Sequence, residues 1–300
     1  MRRSGLIIVF ALLACAPASA QDAVNVPWER QLPPLESRAD IRMHAVRGCA
    51  HGRLACVARV ERRLRRQFKR LDAACDHRVI AALAYLRITQ ALRADLRRRH
   101  PRFFTHKRWM AYVITDFSNS YFGAFRAYAK GREVPASWQA FYDAATKGDT
   151  NAVQDLLLFS NAHAQHDLPF SYASLGLRTR AGASRKSDHD GVNEINVRVI
   201  PGVKAEIEER YDPSFRDVPG PADEMAGLEP TKTWREGAWR NAERLVGARN
   251  RAEQQEIADQ IEAYSAGWGE MISALQAPGT RAARDAHCRA AVRRRAEAER

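Results

Sequence analysis

The stretch NAHAQHDLPF, residues 161–170, sets His163 and Asp167 four residues apart with His166 beside them. On a helix, positions four apart share a face, so an imidazole nitrogen and a carboxylate oxygen would project side by side. Such a pair can share a divalent cation, and zinc accepts both ligand types at about 2.0–2.2 Å. The competing reading pairs Asp167 with an arginine and His163 with a backbone carbonyl.

Three further clusters carry the same residue types. Cys75-Asp76-His77-Arg78 leads into the apolar run VIAALAYL, so His77 enters a region expected to be buried. Ser187-Asp188-His189-Asp190 opens another expected helix. There Ser187 as N-cap and Asp190 three residues on would form a capping box, which leaves His189 unexplained with Asn193 one turn below it. Asp116, in WMAYVITDFSNSYFGAF, is flanked by apolar residues on its helical sides. A buried carboxylate needs a partner or a proton, so Asp116 is a metal ligand, an acceptor fixing a histidine tautomer, or half of an ion pair. In TWREGAWRNAERL, Glu236 and Arg240 make an i,i+4 pair, and Glu243 is a further candidate ligand or base.

Taken as one site, these residues assign His77, His163, Asp167 and His189 to zinc or another divalent cation. Asp116 and Asp188 are the candidate catalytic acids or bases, and Arg78, Arg185, Asn161 and Asn193 the substrate contacts. A bound cation would lower the pKa of its water to about 7 and polarise a phosphoryl oxygen, while arginine suits an anionic substrate. The reading requires the three imidazoles and Asp167 to converge within about 5 Å. No G-x-S-x-G, G-x-x-x-x-G-K-[ST], G-x-G-x-x-G or H-E-x-x-H is present, which sets aside the chemistries those motifs carry.

The elements that must position these residues read as helices. Apolar residues recur at three- and four-residue spacing over 57–99, 107–130, 137–147, 151–166, 188–199, 233–249, 251–275 and 281–299, and alternating strand patterns are nearly lacking. The expected fold is all-α, a single bundle-like helical domain over residues 49–300. Residues 212–232, with four of the 13 prolines, read as a Pro/Gly-rich loop within it, and Leu168-Pro169 as a helix end or bend. Residues 21–48, with Pro27, Pro33 and Pro34, read as an extended N-terminal arm.

Residues 1–20, MRRSGLIIVFALLACAPASA, have the layout of a secretory signal peptide, so the chain is expected to be exported to the periplasm, envelope or medium. Cys15 offers the alternative of a lipoprotein anchor. No apolar run approaches the roughly 18 residues that cross a bilayer, so no transmembrane helix is expected. Four cysteines follow the signal: Cys49, Cys56, Cys75 and Cys288. Three pairings are open, and Cys49–Cys56 with Cys75–Cys288 is the expected one. Net charge is +13, and loss of Arg2 and Arg3 with the signal leaves +11. The arginine runs at 59–70, 97–102 and 293–295 are solvated helix faces or binders of anionic lipid or envelope polymer, and export argues against nucleic acid.

The stretches CDHRVIAALAYLRIT (75–89), DLLLFSNAHAQHDLPFSYASLGL (155–177), SRKSDHDGVNEI (184–195) and WREGAWRNAERL (234–245) resemble a bacterial family known as domain of unknown function 5995. Its Asn-Ala-His-x-x-x-Asp-Leu-Pro box is matched by Asn161, Ala162, His163, Asp167, Leu168 and Pro169. The resemblance therefore ranks His163 and Asp167 above His166, which falls on a variable position, and it implies no activity. On motif and helical class alone the chain is also similar to zinc-dependent phospholipases C and single-strand-specific nucleases, which bind zinc through His-x-x-x-Asp. It departs from them in having a single such motif, and that limits the expectation to one or two metals. Two functions follow: an exported metal-dependent hydrolase of phosphoesters, or a non-catalytic envelope protein whose His/Asp/Asn groups lock helix ends and whose basic surface binds anionic lipid or polymer.

Overall fold

The computed structural model describes residues 47–49, 51–214, 221–275, 280–298 and 300. The signal peptide, Cys15 and residues 21–46 of the expected arm lie outside the described residues. The all-α expectation holds: among the described residues no strand forms, and Arg178 and Ser184 make an isolated bridge.

Helix α1 (Leu54–Ala73) is strongly amphipathic. Its Val57, Val60, Leu64, Phe68 and Leu71 face the core, while most of its arginines stay outside. Helix α2 (Val79–Arg97) is apolar on all sides at its start, with Val79 to Leu86 all buried, the signature of a helix enclosed by others. The expected single helix 57–99 is thus two, broken where Cys75 takes a left-handed φ of 50° and bonds Cys288. The other disulfide joins Cys49 and Cys56, so the cysteines pair as expected.

Helices α3 (Lys107–Tyr128), α4 (Ala136–Lys147) and α5 (Ala152–Ser160) follow. Asn151 caps α5 in a reciprocal capping box with Gln154. The chain then widens into a π-helix over Asn161–Asp167 and returns to α-helix in α6 (Leu168–Leu175). Pro169 is therefore no terminator. It lacks the N–H that would bond back to residue 165, and the wider turn just upstream accommodates the missing bond.

Helices α7 (Lys186–Arg210), α8 (Pro221–Gly247), α9 (Arg251–Ala274) and α10 (Thr280–Ala298) complete the fold. Helix α7 continues through Pro201 well beyond the expected 188–199, and α8 occupies half of the expected 212–232 loop, with Pro230 inside it. Buried Val203 and Ile207 beyond Pro201, and Trp234 and Trp239 beyond Pro230, anchor these helices to the core despite the lost backbone bonds, which propensity alone does not reveal. The π segment is the hub: α4, α5, α6, α8 and α9 all pack against it.

Helix α10 is fastened by charge as well as by Cys288. Arg284 is fully enclosed, 2.8 Å from Asp155 and 3.4 Å from Asp212, and donates to the Thr150 carbonyl. Among the described residues no helix is long and apolar enough to cross a membrane.

Candidate functional site

Asp167 ends the π segment with its carboxylate buried, and three N–H donors surround it. Trp138 Nε1 lies 3.2 Å from Oδ2, His163 Nδ1 3.2 Å from the same oxygen, and His166 Nδ1 2.9 Å from Oδ1. Burial disfavours the charged carboxylate, but the two histidine hydrogen bonds outweigh it and hold its pKa below the usual value. An ionised carboxylate only accepts, so His163 must carry its proton on Nδ1. His166 bridges Asp167 to Glu262, with Nε2 2.6 Å from Glu262 Oε2. Burial opposes its protonation, yet the two carboxylates push its pKa up to about 9.

His163 is the inverse case. Burial lowers its pKa below the ordinary histidine value against the pull of Asp167, which keeps the ring neutral at pH 7. Its ring lies flat on Phe117, centroids 3.4 Å apart, and meets the Tyr85 ring edge-on at 4.7 Å. With Nδ1 protonated, Nε2 bears the lone pair. That atom is buried, has no hydrogen-bond partner, and belongs to a residue lining a cavity of about 90 Å³.

The cavity wall is mainly apolar, with Ile88, Leu92, Met110, Val113 and Ile114 opposite Leu168 and Tyr172. Its polar members include Ser160, His163, Asn196, Thr231 and Arg235. Arg235 is 5 % exposed; its Nε donates to Asn193 Oδ1 at 2.7 Å and its Nη2 to the His189 carbonyl at 2.7 Å. Among the described residues no carboxylate lies within ion-pair distance of it.

Behind Arg235, at the start of α7, His189, Asp190 and Glu236 form the group whose ligand atoms lie within 4.8 Å of one another, and among the described residues it is the group of three or more with that property. A cation already sits there. Lys186 Nζ is 2.5 Å from Asp190 and 2.7 Å from Glu236, so a metal would have to displace the ammonium. Burial and the neighbouring Arg235, Lys186 and Arg240 drive the His189 pKa well down, and Nδ1 bonds the Tyr172 hydroxyl at 2.9 Å.

The expected four-ligand metal set is not assembled. His77 faces α10 and bonds Asp285 at 3.0 Å, His189 faces Tyr172, and neither joins His163 and Asp167 in a ligand group. The helix register that aligned His163 with Asp167 carried no information about which way the α2 and α7 histidines turn. Asp188 is likewise spoken for, accepting from the Thr105 and His106 backbone N–H groups and bonding His106 Nδ1. The expected Ser187–Asp190 capping box is not formed, because α7 begins at Lys186 and Asp190 pairs with that lysine.

The other candidates divide between structural bonds and the cavity. Arg78 is held by Asp76, and Arg185 donates to the Leu175 and Gly176 carbonyls over the Trp109 ring. Asn161 ties the π segment to the Ser265 carbonyl, and Glu243 pairs with Arg240. Asn193 reaches the cavity through Arg235. Asp116 accepts from Ser171 Oγ at 2.9 Å; burial first, then the nearby Asp167, raises its pKa.

His166, Arg235, Glu262 and Lys186 are the residues that spacing missed. His166 looked incidental because its second partner, Glu262, lies about a hundred residues away on α9. Arg235 sits between Trp234 and Glu236, and a charged residue beside buried tryptophan was the available signal.

No curated protein matches the chain, and no solved structure matches it. The likeness to zinc phospholipases and nucleases therefore gains nothing beyond the shared motif and helical class. A family model does match, over residues 57–275, a span holding the π segment, the cavity and the Lys186 cluster. The chain belongs to the family described as Family of unknown function (DUF5995).

Proposed function

We propose that this is an exported enzyme of metal-free acid–base type, a hydrolase in which His163 acts as general base on a small molecule held in the cavity beside it. The observation that carries the reading is the buried, uncommitted Nε2 of an imidazole whose other nitrogen is bound to an ionised aspartate. This is the arrangement that lets histidine take a proton from water or a substrate hydroxyl and be stabilised as imidazolium while it holds it. Asp167 is the positioning residue; Trp138 and His166 keep it ionised and fixed. The apolar wall excludes bulk water, which strengthens each polar contact inside. The two disulfides suit an oxidising compartment and support export.

The test is turnover of a panel of short-chain nitrophenyl esters with and without a chelator. His163→Ala should lower kcat/KM by 10²–10⁴, the range of general-base contributions, and Asp167→Asn by a smaller factor, while chelation changes nothing. Activity that survives His163→Ala, or that is lost to the chelator, would sink the proposal.

A second reading is favoured by a separate groove between α1 and α3. Arg63, Arg66, Arg70, Arg126 and Lys130 converge there around Phe122 and Phe125. None of the five makes an ion pair among the described residues, and Arg63 lies 3.6 Å over the Phe122 ring. Such a surface fits an anionic envelope polymer or lipid headgroup layer, and it would retain the protein at the envelope whatever the cavity does. Retention on anionic vesicles that falls steeply with salt, and falls again in Arg66→Glu/Arg126→Glu, is the outcome expected of it.

A further inference from the structure

We infer that the ligand of the cavity is a small apolar monocarboxylate, and that Arg235 is its counter-ion. This rests on reading the cavity as a ligand site and not on the catalysis proposed for it.

An arginine buried to this degree normally faces a carboxylate, because removing a lone charge from water costs several kcal/mol. Arg284 obeys the rule, with Asp155 and Asp212 at its head. Arg235 does not: its partners are the neutral Asn193 amide, the His189 carbonyl and the Tyr172 hydroxyl. The other cations near it are already matched, Lys186 by Asp190 and Glu236, and Arg240 by Glu236 and Glu243. Arg235 is therefore the cation of this cluster that no carboxylate touches, because Asp190, Glu236 and Glu243 are all engaged by Lys186 and Arg240.

That contact geometry selects the ligand. A single guanidinium balances a monoanion, and its planar fork matches a carboxylate in particular. A phosphate monoester would bring a second negative charge to a wall on which Arg235 is the one arginine or lysine among the described residues. The rest of the wall is aliphatic and aromatic, so the body of the ligand is apolar. A cavity of about 90 Å³ holds roughly six to nine water-sized positions, the size of benzoate or hexanoate.

The test is calorimetric titration of the full mature chain with benzoate and hexanoate, against benzyl alcohol and hexanol as neutral matches and phenyl phosphate as the dianion. We expect the carboxylates to bind at least tenfold more tightly than the alcohols, and phenyl phosphate to bind no better than benzoate. In Arg235→Gln the carboxylate preference should disappear while alcohol binding survives. Alcohols binding as well as carboxylates would overturn the charge assignment and leave the cavity standing as a ligand site. Tighter binding of phenyl phosphate would overturn the monoanion. No binding by any probe would overturn both this inference and the reading of the cavity as a site. If Arg235→Gln does not fold, the comparison within the wild-type protein still decides.

Discussion

Glu262 Oε2 lies 2.6 Å from His166 Nε2, so α9 supplies the second carboxylate that makes His166 a cation. That cation stands at Asp167, on the opposite side of the carboxylate from the neutral His163. Two histidines three residues apart thus carry opposite protonation states at neutral pH, and the charged one holds the aspartate that orients the uncharged one.

The pH dependence of stability follows. An unfolded histidine titrates near 6.5 and His166 in the folded protein at about 9, so its contribution is full below about pH 6.5 and is lost as pH rises through 9. Because Glu262 is partly exposed, we expect a loss on the order of 1–3 kcal/mol, discounted for solvent screening. Urea unfolding at pH 6 and pH 9.5 should show it in the wild type and a smaller loss in Glu262→Gln. Identical profiles for the two proteins would contradict the assignment. Asp167 works in the other direction: its lowered pKa makes its contribution present above about pH 4 and lost as acid protonates it.

Gly191 is fixed by a close approach. A Cβ built there would stand 2.4 Å from the Phe103 carbonyl oxygen, a backbone atom that cannot swing aside, so Gly191→Ala should destabilise by about 1–3 kcal/mol. Gly202, on the same helix, has nothing within 4 Å of such a Cβ, and Gly202→Ala should be neutral or stabilising by up to about 1 kcal/mol. Equal thermal shifts for the two variants would show that the contact does not constrain α7.

Removal of Arg284 would leave Asp155, fully enclosed, beside Asp212 without a cation. Arg284→Ala should cost about 3–5 kcal/mol, even with the Cys75–Cys288 bond intact. A denaturation midpoint within error of the wild type would refute the central place given to this triad.

Lys186 stands where a metal would stand. Zinc should therefore leave the melting temperature of the wild-type protein unchanged, whereas Lys186→Ala, which removes the ammonium from between Asp190 and Glu236 beside His189 and leaves Arg240 on Glu236, should melt lower and recover on adding zinc. A zinc-dependent rise already present in the wild type would reverse this account of the cluster.

The helical class, the presence of two disulfides and the His163–Asp167 contact were legible because each depends on local information: periodicity, cysteine count and compartment, and a four-residue spacing on one helix; the choice among the three cysteine pairings was not, because it depends on where α10 packs. The convergence of histidines was not, because it depends on the rotation of α2 and α7 about their axes, which places His77 against Asp285 and His189 against Tyr172. Prolines misled in one consistent way. Pro169, Pro201 and Pro230 all lie within helices, where buried residues such as Tyr172, Val203 and Trp234 hold the helix to the core despite one lost backbone bond. The lack of a carboxylate at Arg235 could not be read at all from a chain holding 35 acids.

The central claim is that Asp167 holds the proton of a neutral His163 on Nδ1 and leaves the unpartnered Nε2 with the lone pair. Nitrogen-15 imidazole NMR of the mature protein tests it without a substrate. The prediction is the Nδ1–H tautomer for His163, a protonation midpoint below the ordinary histidine value, and a change of tautomer or titration in Asp167→Asn. A His163 resonance that is Nε2–H at neutral pH, or that titrates near 6.5 as a free histidine does, would contradict it.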